Sequence, residues 1–439
     1  MRPEAQIEGW FREILDRLNP RLLTSQATSF DCQSSDVELP EARVRPVTIP
    51  GAGELVVIAI GKAAIAMAAG AQDLFGARFR RGFVLTVDGP DQSVLDDRWT
   101  VYRASHPIPD QRGIDATRAL IEIVESSKTD DIVVALISGG GSALFEAPRA
   151  PVTLADVAEL TQLMLHAGAP IQHLNTVRIP LSEVKGGSFR QRSPAGQFVT
   201  LILSDVLGNN SQIIASGPTV KPATTGAAAL AVLDLYGLRE TVSPAVRIAL
   251  NEAAAEESEW DHPADIVEVV GDVGVAMAIA CEVTSTAGFE TKEAEFLLDG
   301  EATEMARVWV EFLTADMPDT VDVVWSGGEN TVTVRGDGLG GRNTEFALAA
   351  ALELDRRNND EWIVASLATD GQDATTGSAG AIASRETILR VRAAGIDPEA
   401  ALATNDSATF FQNTGGLVVT GPSGTNVNDL YLGLRKRPA

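Results

Sequence analysis

The stretch Asp131-Ile-Val-Val-Ala-Leu-Ile-Ser-Gly-Gly-Gly-Ser142 joins an uninterrupted apolar run to a loop of three glycines. A similar apolar run, Leu55-Val-Val-Ile-Ala-Ile60, is stopped by Gly61 and followed by residues that favour a helix. Apolar runs without polar alternation, joined by segments of helical length, are typical of parallel strands covered on both faces. We therefore predict an α/β fold with a mostly parallel sheet in the N-terminal part.

The same alternation of strand-like and helical segments continues along the chain. Trp260-Asp-His-Pro263 interrupts an alanine-rich helical region, and the alternation restarts after it. We place a boundary near 250–262, which divides the chain into domains 1–255 and 256–439. Further strands are predicted near 82–87, 99–103, 198–203, 266–270, 321–325, 331–335, 362–367 and 417–420.

The net charge of the chain limits which kinds of molecule we expect it to bind. The formal net charge is −25, and only six of the 35 basic residues are lysines. A non-specific nucleic-acid binder needs a basic face, so we expect no nucleic-acid partner. Acidic charge along the whole chain keeps a protein soluble through self-repulsion. With scarce lysine, it predicts a halophilic protein adapted to a salt-rich cytoplasm, and compositional drift is the alternative.

The sequence gives little indication of a membrane, secreted or disulfide-bonded protein. No run of eighteen apolar residues occurs, and the first thirty residues lack a signal-peptide core, so we expect a cytoplasmic protein without a membrane partner. The two cysteines, Cys32 and Cys281, are far apart and indicate neither a disulfide framework nor a metal cluster. The four histidines show no zinc spacing, and only His106 stands among other functional candidates.

A second glycine-rich stretch is Val332-Thr-Val-Arg-Gly-Asp-Gly-Leu-Gly-Gly-Arg-Asn-Thr-Glu345. It reads as a strand, a turn with four glycines and the start of a helix, where backbone N–H groups bind anions. Arg342 adds a planar fork suited to phosphate or carboxylate. Because Gly336-x-Gly338-x-x-Gly341 also satisfies the dinucleotide fingerprint, the stretch fits either a nicotinamide enzyme or a phosphoryl-transfer enzyme.

The surroundings of this motif favour phosphoryl transfer. In a dinucleotide site the ribose-binding acid ends the next strand, whereas here Asp370 lies beyond that strand and Asp355 lies in the last turn of the helix. Arg342 also fills the helix start where a pyrophosphate would meet bare amides. Separate glycine loops with Lys62, Arg342 and several acids suit a chemistry that consists mostly of positioning and charge neutralisation.

Other loops carry further candidates. Lys62 follows the first strand at a helix start, where a cation is disfavoured unless an anion is present. Its surroundings lack the Walker A spacing. The loop after the strand at 131–137 presents successive N–H groups that form an anion-binding concavity. Its predicted phosphate-binding residues are Ser138, Gly139, Gly140, Gly141 and Ser142.

Carboxylates and amides follow several other strands. Asp205 and Asp370 lie just past strand ends, where oxygen ligands suit Mg²⁺ shared with phosphates, although such an aspartate alone is more often a turn or cap residue. Glu329 after Gly327-Gly328 is similar, with a hairpin turn as the alternative. The loop Thr420-Gly-Pro-Ser-Gly-Thr-Asn-Val-Asn-Asp429 offers hydroxyls and amides that position a polyhydroxy substrate or a nucleotide.

Read in order, these loops resemble the type II glycerate kinases, which carry the MOFRL module and are often named hydroxypyruvate reductases. The resemblance covers nearly the whole chain. The segments that carry it are Gly61-Lys-Ala-Ala64, His106-Pro-Ile-Pro-Asp110, Ile137-Ser-Gly-Gly-Gly-Ser-Ala-Leu144, Asn175-Thr-Val-Arg178, Leu181-Ser-Glu-Val-Lys-Gly-Gly187, Ser204-Asp-Val-Leu-Gly208, Ile214-Ala-Ser-Gly-Pro-Thr219, Ser326-Gly-Gly-Glu329, Gly338-Leu-Gly-Gly-Arg-Asn343, Thr369-Asp-Gly371 and Gly421-Pro-Ser-Gly-Thr-Asn-Val-Asn-Asp429.

The resemblance implies ATP-dependent phosphorylation of D-glycerate at its 2-hydroxyl with Mg²⁺ or a similar cation. It also implies a Rossmann-like N-terminal domain, a smaller α/β C-terminal domain containing the MOFRL module, and an active site in the cleft between them. Lys62 and Arg342 match the family's basic residues at the transferring phosphate, and Asp205, Glu329 and Asn426 match polar active-site positions. The chain departs from the family pattern at Ile179-Pro180, Asn209 and Gln372-Asp-Ala-Thr375.

We therefore predict a cytoplasmic glycerate 2-kinase, monomeric or homodimeric, with Lys62, Arg342 and Asp205 as catalytic residues. Asp205 and Glu329 are the predicted metal contacts. A nicotinamide-dependent hydroxypyruvate reductase is the alternative, and a non-catalytic sensor of sugar acids or nucleotides is a third class. The predicted substrate- and nucleotide-binding residues are the five of the Ser138–Ser142 loop together with Glu329, Asn343, Asp370, Thr425 and Asn426.

Overall fold

The computed structural model describes residues 2–27, 53–256 and 260–436. Cys32 lies outside these residues. The chain forms two compact units, which we call the parallel-sheet unit and the mixed-sheet unit. The parallel-sheet unit comprises Pro20–Ser204 and Gly208–Val270, and the mixed-sheet unit comprises Met1–Asn19, Asp205–Leu207 and Gly271–Ala439.

Helices and strands alternate through most of the chain, as predicted. The helices are α1 Pro3–Arg17, α2 Pro20–Gln26, α3 Ala64–Phe75, α4 Gln111–Glu125, α5 Gly141–Leu144, α6 Leu154–His166, α7 Ile171–Arg178, α8 Ser188–Gln191, α9 Gly226–Leu235, α10 Pro244–Ala255, α11 Val273–Thr286, α12 Ala302–Ala315, α13 Arg342–Arg356, α14 Arg385–Ala393, α15 Pro398–Ala403 and α16 Ser407–Thr414. The strands are β1 Leu55–Ile60, β2 Phe79–Val87, β3 Trp99–Ala104, β4 Ile132–Ser138, β5 Gln197–Leu203, β6 Ile266–Gly271, β7 Thr291–Glu293, β8 Val323–Gly328, β9 Trp362–Ala368, β10 Gly380–Ser384, β11 Leu417–Val418 and β12 Asp429–Arg435. None of the helices within the described residues is long and apolar enough to cross a membrane.

The parallel-sheet unit contains a six-stranded sheet in the order β3-β2-β1-β4-β5-β6. Strands β1 to β5 pair in parallel, and every residue of β1 and β4 is buried, which explains their unbroken apolar runs. This is the strand order of the Rossmann fold, and the prediction of an α/β fold with a parallel sheet is confirmed. The order reverses between β1 and β4, and in open α/β sheets ligands bind beside the loops that follow the strands at such a point.

The mixed-sheet unit contains a second six-stranded sheet in the order β11-β10-β9-β12-β8-β7. β12 lies between β8 and β9 and is antiparallel to both. Helices α12 and α13 cover this sheet, with Trp309, Phe346 and Tyr431 in the core between them. The rings of Phe346 and Tyr431 lie 4.6 Å apart between centroids. This core fixes the start of α13 relative to the first residue of β12.

The structure corrects one predicted strand and adds three. Thr331 forms only an isolated bridge with Glu301, and residues 332–335 belong to no strand, so the strand predicted at 331–335 is wrong. The N–H groups of Arg335 and Gly336 instead donate to Asn405 Oδ1, at 2.6 and 3.0 Å. Strands β7, β10 and β12 were not predicted.

The compact units are not two continuous halves of the chain. Helix α1 packs against α11 in the mixed-sheet unit, where the rings of Trp10 and Phe289 meet edge to face at 5.0 Å. Strand β6, which follows the predicted boundary, lies beside β5 at the edge of the first sheet. The units therefore differ from the predicted domains 1–255 and 256–439, and that division stays a prediction.

Candidate active site

The loops after β1 and β4 are held together in the parallel-sheet unit. The N–H group of Lys62 donates to the carbonyl of Gly139 (2.9 Å), and that of Ala63 donates to Ser138 Oγ (3.2 Å). Gly61 has φ +124°, and a Cβ there would fall 2.3 Å from Ser138 Oγ, so this position requires glycine. The sequence prediction that Lys62 and the Ser138–Ser142 loop act together is consistent with these contacts, while their role in binding stays a prediction.

The Lys62 side chain lies over Gly140. A Cβ added at Gly140, which has φ +86°, would be 3.1 Å from Lys62 Cγ and 3.2 Å from His106 Cδ2. Within the described residues the Lys62 ammonium makes neither a hydrogen bond nor an ion pair. Burial lowers the pKa of His106, and the nearby charge of Lys62 lowers it further, which favours a neutral imidazole. One unpaired positive charge thus stands beside the backbone of a glycine loop.

A strained turn supports the far side of this loop. Ala215, Ser216 and Gly217 have consecutive positive φ values of 50°, 62° and 59°. Ser216 Oγ lies 2.9 Å from Ser142 Oγ, and a Cβ at Gly141 would fall 2.6 Å from that of Ala215. Non-glycine residues in this conformation are strained by about 1–3 kcal/mol each, and such strain clusters at ligand sites. No role was predicted for Ser216, although its segment is among those that carry the family resemblance.

A buried ionic cluster lies beneath the same loop. Lys185 Nζ donates to the carbonyl of Ser142 (2.8 Å) and to Glu146 Oε2 (2.5 Å), and Arg178 Nη2 lies 3.7 Å from the same carboxylate oxygen. The side chains of Lys185 and Glu146 are 1% and 3% exposed. Burial lowers the pKa of Lys185, the charge of Glu146 opposes this, and the charge of Arg178 adds to it. Sequence reasoning gave these three residues no role.

A second cluster lies where β8, β12 and α13 begin or end in the mixed-sheet unit. Arg342 Nε and Nη2 donate to the two oxygens of Asp429 (2.6 and 3.0 Å), and its Nη1 donates to Glu329 Oε1 (2.9 Å). Asp429 is fully buried, whereas the side chains of Arg342 and Glu329 are 31% and 42% exposed. The guanidinium of Arg342 is therefore fixed by a bidentate contact on one edge and borders solvent on the other.

The charges of this cluster shift its pKa values. Burial lowers the pKa of Arg342, but the charge and hydrogen bonds of Asp429, and then Glu329, outweigh burial and raise it overall. Burial raises the pKa of Glu329, Arg342 opposes this, and the charges of Asp429 and Asp205 add to the rise. Arg342 thus stays charged at any pH the protein tolerates, and Glu329 is more basic than an ordinary glutamate.

Asn428 links Asp205 to this cluster. Its Nδ2 donates to the carbonyl of Asp205 (2.8 Å) and to Glu329 Oε2 (3.0 Å), while its backbone adopts φ +68°. The structure therefore brings together Arg342, Glu329 and Asp205, three of the predicted site residues. Sequence reasoning missed Asn428 and Asp429, the last two residues of the quoted Thr420–Asp429 loop, because a loop's composition does not show which of its polar residues begins a strand.

The start of α13 does not present the free amides that the glycine motif predicts. Asp373 Oδ1 accepts the N–H group of Asn343 (3.0 Å), and Asp373 Oδ2 accepts the N–H group and the hydroxyl of Thr344 (2.9 and 2.8 Å). A Cβ at Gly341 would fall 2.3 Å from the carboxylate of Asp373. An internal carboxylate thus occupies the position that an external anion was expected to take. This also gives a structural role to the departure at Gln372–Thr375.

The other glycines of that motif serve close packing within the unit. A Cβ at Gly336 or Gly338 would lie 2.5 Å from its nearest neighbour, respectively the carbonyl oxygen of Thr404 and Cβ of Asp406. A Cβ at Gly340 would lie 2.7 Å from the carbonyl oxygen of Asn405. The first three glycines pack against the turn at 404–406 and Gly341 packs against Asp373, so the match to the dinucleotide fingerprint arises from packing within the unit.

The remaining predicted binding residues have local partners. Asn343 is buried, and its Oδ1 accepts the hydroxyl of Ser366 (2.6 Å). Asp370 Oδ1 accepts the N–H group of Gln372 (2.8 Å), and Asn426 Oδ1 accepts that of Asn428 (3.2 Å), as turn-forming residues do. Their roles in ligand binding stay predictions.

Thr425, the last predicted binding residue, and the departures from the family pattern at Ile179-Pro180 and Asn209 also have defined local environments. The Thr425 hydroxyl is buried without a hydrogen-bond partner among the described residues. Ile179 is buried and begins the 3-10 helix Ile179–Leu181, and Asn209 adopts φ +52°, a conformation that asparagine tolerates better than most residues. No group of three or more His, Cys, Asp or Glu side chains within the described ranges is arranged to hold a metal ion.

The chain that carries these two clusters matches known protein families. The family described as a domain of unknown function, DUF4147, matches residues 6–251, and the MOFRL family matches residues 322–429. The D-glycerate 2-kinase of Thermotoga maritima is 37% identical over 424 residues, which are 95% of this chain and 99% of that protein. An Agrobacterium vitis protein with the provisional name hydroxypyruvate reductase is 39% identical over 386 residues, 86% of each chain. The crystal structure of the Thermotoga maritima glycerate kinase superposes with a TM-score of 0.86 at 34% identity and covers 99% of both chains.

Proposed function

The chain belongs to the DUF4147–MOFRL family of glycerate kinases, and we propose that it transfers the γ-phosphoryl group of ATP to the 2-hydroxyl of D-glycerate. The products are 2-phosphoglycerate and ADP. The relatives' names support the substrate, and the two charge clusters support the reaction type. Phosphoryl transfer needs cations for the phosphates and carboxylates for a metal and a hydroxyl. The parallel-sheet unit contains Lys62, and the mixed-sheet unit contains Arg342 with nearby carboxylates.

The observation that carries the proposal is the unpaired ammonium of Lys62. It lies over Gly140 at the point where the strand order of the parallel sheet reverses. A cation held there without a partner among the described residues suits an anionic ligand, and the amides of the Ser138–Ser142 loop suit its oxygens. In the proposed reaction Lys62 neutralises charge on the phosphates as the bond to the leaving group lengthens.

The mixed-sheet unit contributes the acidic groups. Asp429 fixes the Nε and Nη2 edge of Arg342, so the exposed edge that now contacts Glu329 is the part suited to a phosphoryl oxygen. Glu329 and Asp205 suit Mg²⁺, because this ion is usually held by one or two carboxylates together with substrate phosphates. When bound, Mg²⁺ would neutralise charge on the phosphates.

The proposed step forms a bond between the 2-hydroxyl oxygen and the γ-phosphorus. The bond from the γ-phosphorus to the β,γ-bridging oxygen breaks, and ADP leaves with both electrons of that bond. The hydroxyl proton passes to whichever carboxylate does not hold the metal, and Glu329, whose pKa burial raises in the metal-free protein, is the first candidate. Asp205 is the second candidate for this role.

The alternative reductase has less support. A nicotinamide dinucleotide would place its pyrophosphate on the amides that begin α13, and Asp373 holds two of those amides. The proposed enzyme works in the cytoplasm, where ATP is available, and the acidic composition suits high salt. Its predicted state is a monomer or a homodimer.

The test uses purified full-length protein in molar KCl with D-glycerate and Mg·ATP, followed by phosphorus NMR. A parallel sample receives hydroxypyruvate with NADH or NADPH. We expect a phosphomonoester on the 2-oxygen. A product on the 3-oxygen would keep the kinase class and overturn the position, whereas cofactor oxidation without phosphorylation would overturn the proposal.

A further inference from the structure

The ionic cluster beneath the Ser142 loop has more positive than negative charge. Glu146 is one carboxylate shared by two cations, Lys185 and Arg178. Lys185 takes the short contact of 2.5 Å, which leaves Arg178 at 3.7 Å from the same oxygen. Buried charges are stable when they are paired, so a cluster with one surplus positive charge favours an additional anion.

Arg178 is the member of the cluster that a ligand can reach. It is the last residue of α7, and its side chain is 19% exposed, whereas Lys185 and Glu146 are closed to solvent. Its guanidinium makes no hydrogen bond with the described residues, and its Nε is buried without a partner. The terminal Nη1 and Nη2 groups therefore have hydrogen bonds left to make, close to the Ser138–Ser142 loop over which Lys62 lies.

A guanidinium fork matches a planar carboxylate better than an ammonium does. We propose that Arg178 binds the carboxylate of the acid substrate, and that Lys185 and Glu146 are positioning residues that hold Arg178 against the Ser142 end of the loop. This rests on the proposed function and assigns the substrate's charged group to the parallel-sheet unit. In this assignment Lys62 and the glycine amides bind the phosphate groups, and Arg178 binds the carboxylate.

The contact with Glu146 supports this assignment. A carboxylate at 3.7 Å orients the guanidinium without using its donors fully, so a ligand carboxylate gains hydrogen bonds that the protein leaves unmade. Lys185 stays on Glu146 and on the carbonyl of Ser142, which ties the position of Arg178 to that of the loop. The carboxylate of the bound substrate is thereby held at a fixed position relative to the phosphate-binding loop.

The experiment compares wild type, R178Q and R178K, with R118Q as the control. Arg118 is an exposed residue of α4, so R118Q makes the same change of charge and side-chain type away from the cluster. Each protein is assayed for kcat and KM with D-glycerate, with ATP and with D-glyceramide, in which a neutral amide replaces the carboxylate. Binding of D-glycerate without ATP is measured by calorimetry, and the melting temperature reports folding.

We expect R178Q to raise both KM and Kd for D-glycerate by about ten- to a hundred-fold, the value of a charge-assisted contact, and to keep the KM for ATP. The preference of the wild type for D-glycerate over D-glyceramide should shrink by a similar factor. R178K, which keeps the charge, should recover part of the affinity, and R118Q should match wild type.

An unchanged Kd for D-glycerate in R178Q or R178K would overturn the proposal, as would a rise confined to the KM for ATP, which would assign Arg178 to a phosphate. If R178Q does not fold, R178K decides, because it retains the positive charge beside Glu146. The two failures are distinct. A wild type that does not phosphorylate D-glycerate overturns the proposed function. A wild type that does phosphorylate it, together with an R178Q variant that binds D-glycerate equally well, overturns only this inference.

Discussion

Arg342 donates two hydrogen bonds, at 2.6 and 3.0 Å, to the fully buried carboxylate of Asp429. The two residues are 87 positions apart in the sequence, one at the start of α13 and the other at the start of β12. The pair joins the first turn of a helix to the central strand of the mixed sheet. It fixes the orientation of the cation that sequence reasoning selected as catalytic.

Removing the charge of Asp429 should weaken the mixed-sheet unit. We expect D429N to lower the free energy of unfolding by about 1–3 kcal/mol, less than for a wholly buried pair because Arg342 borders solvent. Denaturant titration measures this, with D319N as the control, since the side chain of Asp319, which pairs with Arg435, is fully exposed. Equal stability of the two variants would show that the Asp429 contact does not hold the cluster together.

Replacing Arg342 by lysine tests its role in turnover. Lysine keeps the charge but loses the fork that contacts Asp429 and Glu329, so we expect R342K to lower kcat by about a hundred-fold or more. R356K, on the exposed side of the same helix, should retain wild-type kcat. Steady-state release of ADP provides the measurement. If R342K turns over normally, Arg342 has no part in the mechanism.

Lys62 should matter for activity and not for stability. Its ammonium has no partner among the described residues, so K62M should melt at the wild-type temperature when no ligand is present. We expect kcat/KM to fall by about a thousand-fold if the ammonium stabilises the transferring phosphate. K128M, at an exposed position of the same unit, is the matched control. Loss of activity with unchanged ATP binding would indicate a role limited to the transition state, and retained activity would remove Lys62 from the site.

The lowered pKa of His106 predicts the direction of one pH effect. Its pKa is depressed by burial and by Lys62, so the unfolded chain binds the proton more readily than the folded one. Stability contributed by this residue is therefore present above the unfolded pKa of about 6.5 and declines as the pH falls through the folded value. Denaturant titration at pH 7.5 and 5.5 should show a smaller decline in H106N than in wild type. H166N, at an exposed histidine of the same unit, is the matched control.

The salt prediction concerns the whole chain. With a net charge of −25, self-repulsion should be screened by added salt, so the melting temperature should rise markedly between 0.05 and 2 M KCl. Sucrose, which stabilises folded proteins without screening charge, separates screening from general solute exclusion. A melting temperature that responds to sucrose but not to KCl would favour compositional drift over adaptation to salt.

The parallel sheet was predictable because β1 and β4 are buried on both faces and carry unbroken apolar runs. Those strands also place Lys62 beside the Ser138–Ser142 loop, and the sequence had indicated each of them separately as a phosphate contact. Strand β12 was not predictable in the same way. Its pattern is short, and its place between β8 and β9 depends on contacts far away in the sequence.

Residues that act through distant contacts also escaped prediction. Asp373, Asp429 and Glu146 look like ordinary acidic residues in sequence, and their importance appears only when their partners are known. The glycine motif at 336–341 shows the opposite error. Glycine is required there by the close approach of residues 404–406 and of Asp373, a cause that the local sequence cannot distinguish from the approach of a ligand.

The central position of β12 has a consequence for assembly. Strands β8 and β9 are not neighbours, and β12 supplies the hydrogen bonds on the inner edge of each. Until residues 429–435 emerge during synthesis, the two parts of the sheet have open edges and Arg342 lacks its bidentate contact with Asp429. Such late, non-local pairing slows folding and leaves edges that invite association with other chains. Nascent chains halted before residue 429 should therefore be inactive and more dependent on chaperones than the finished protein.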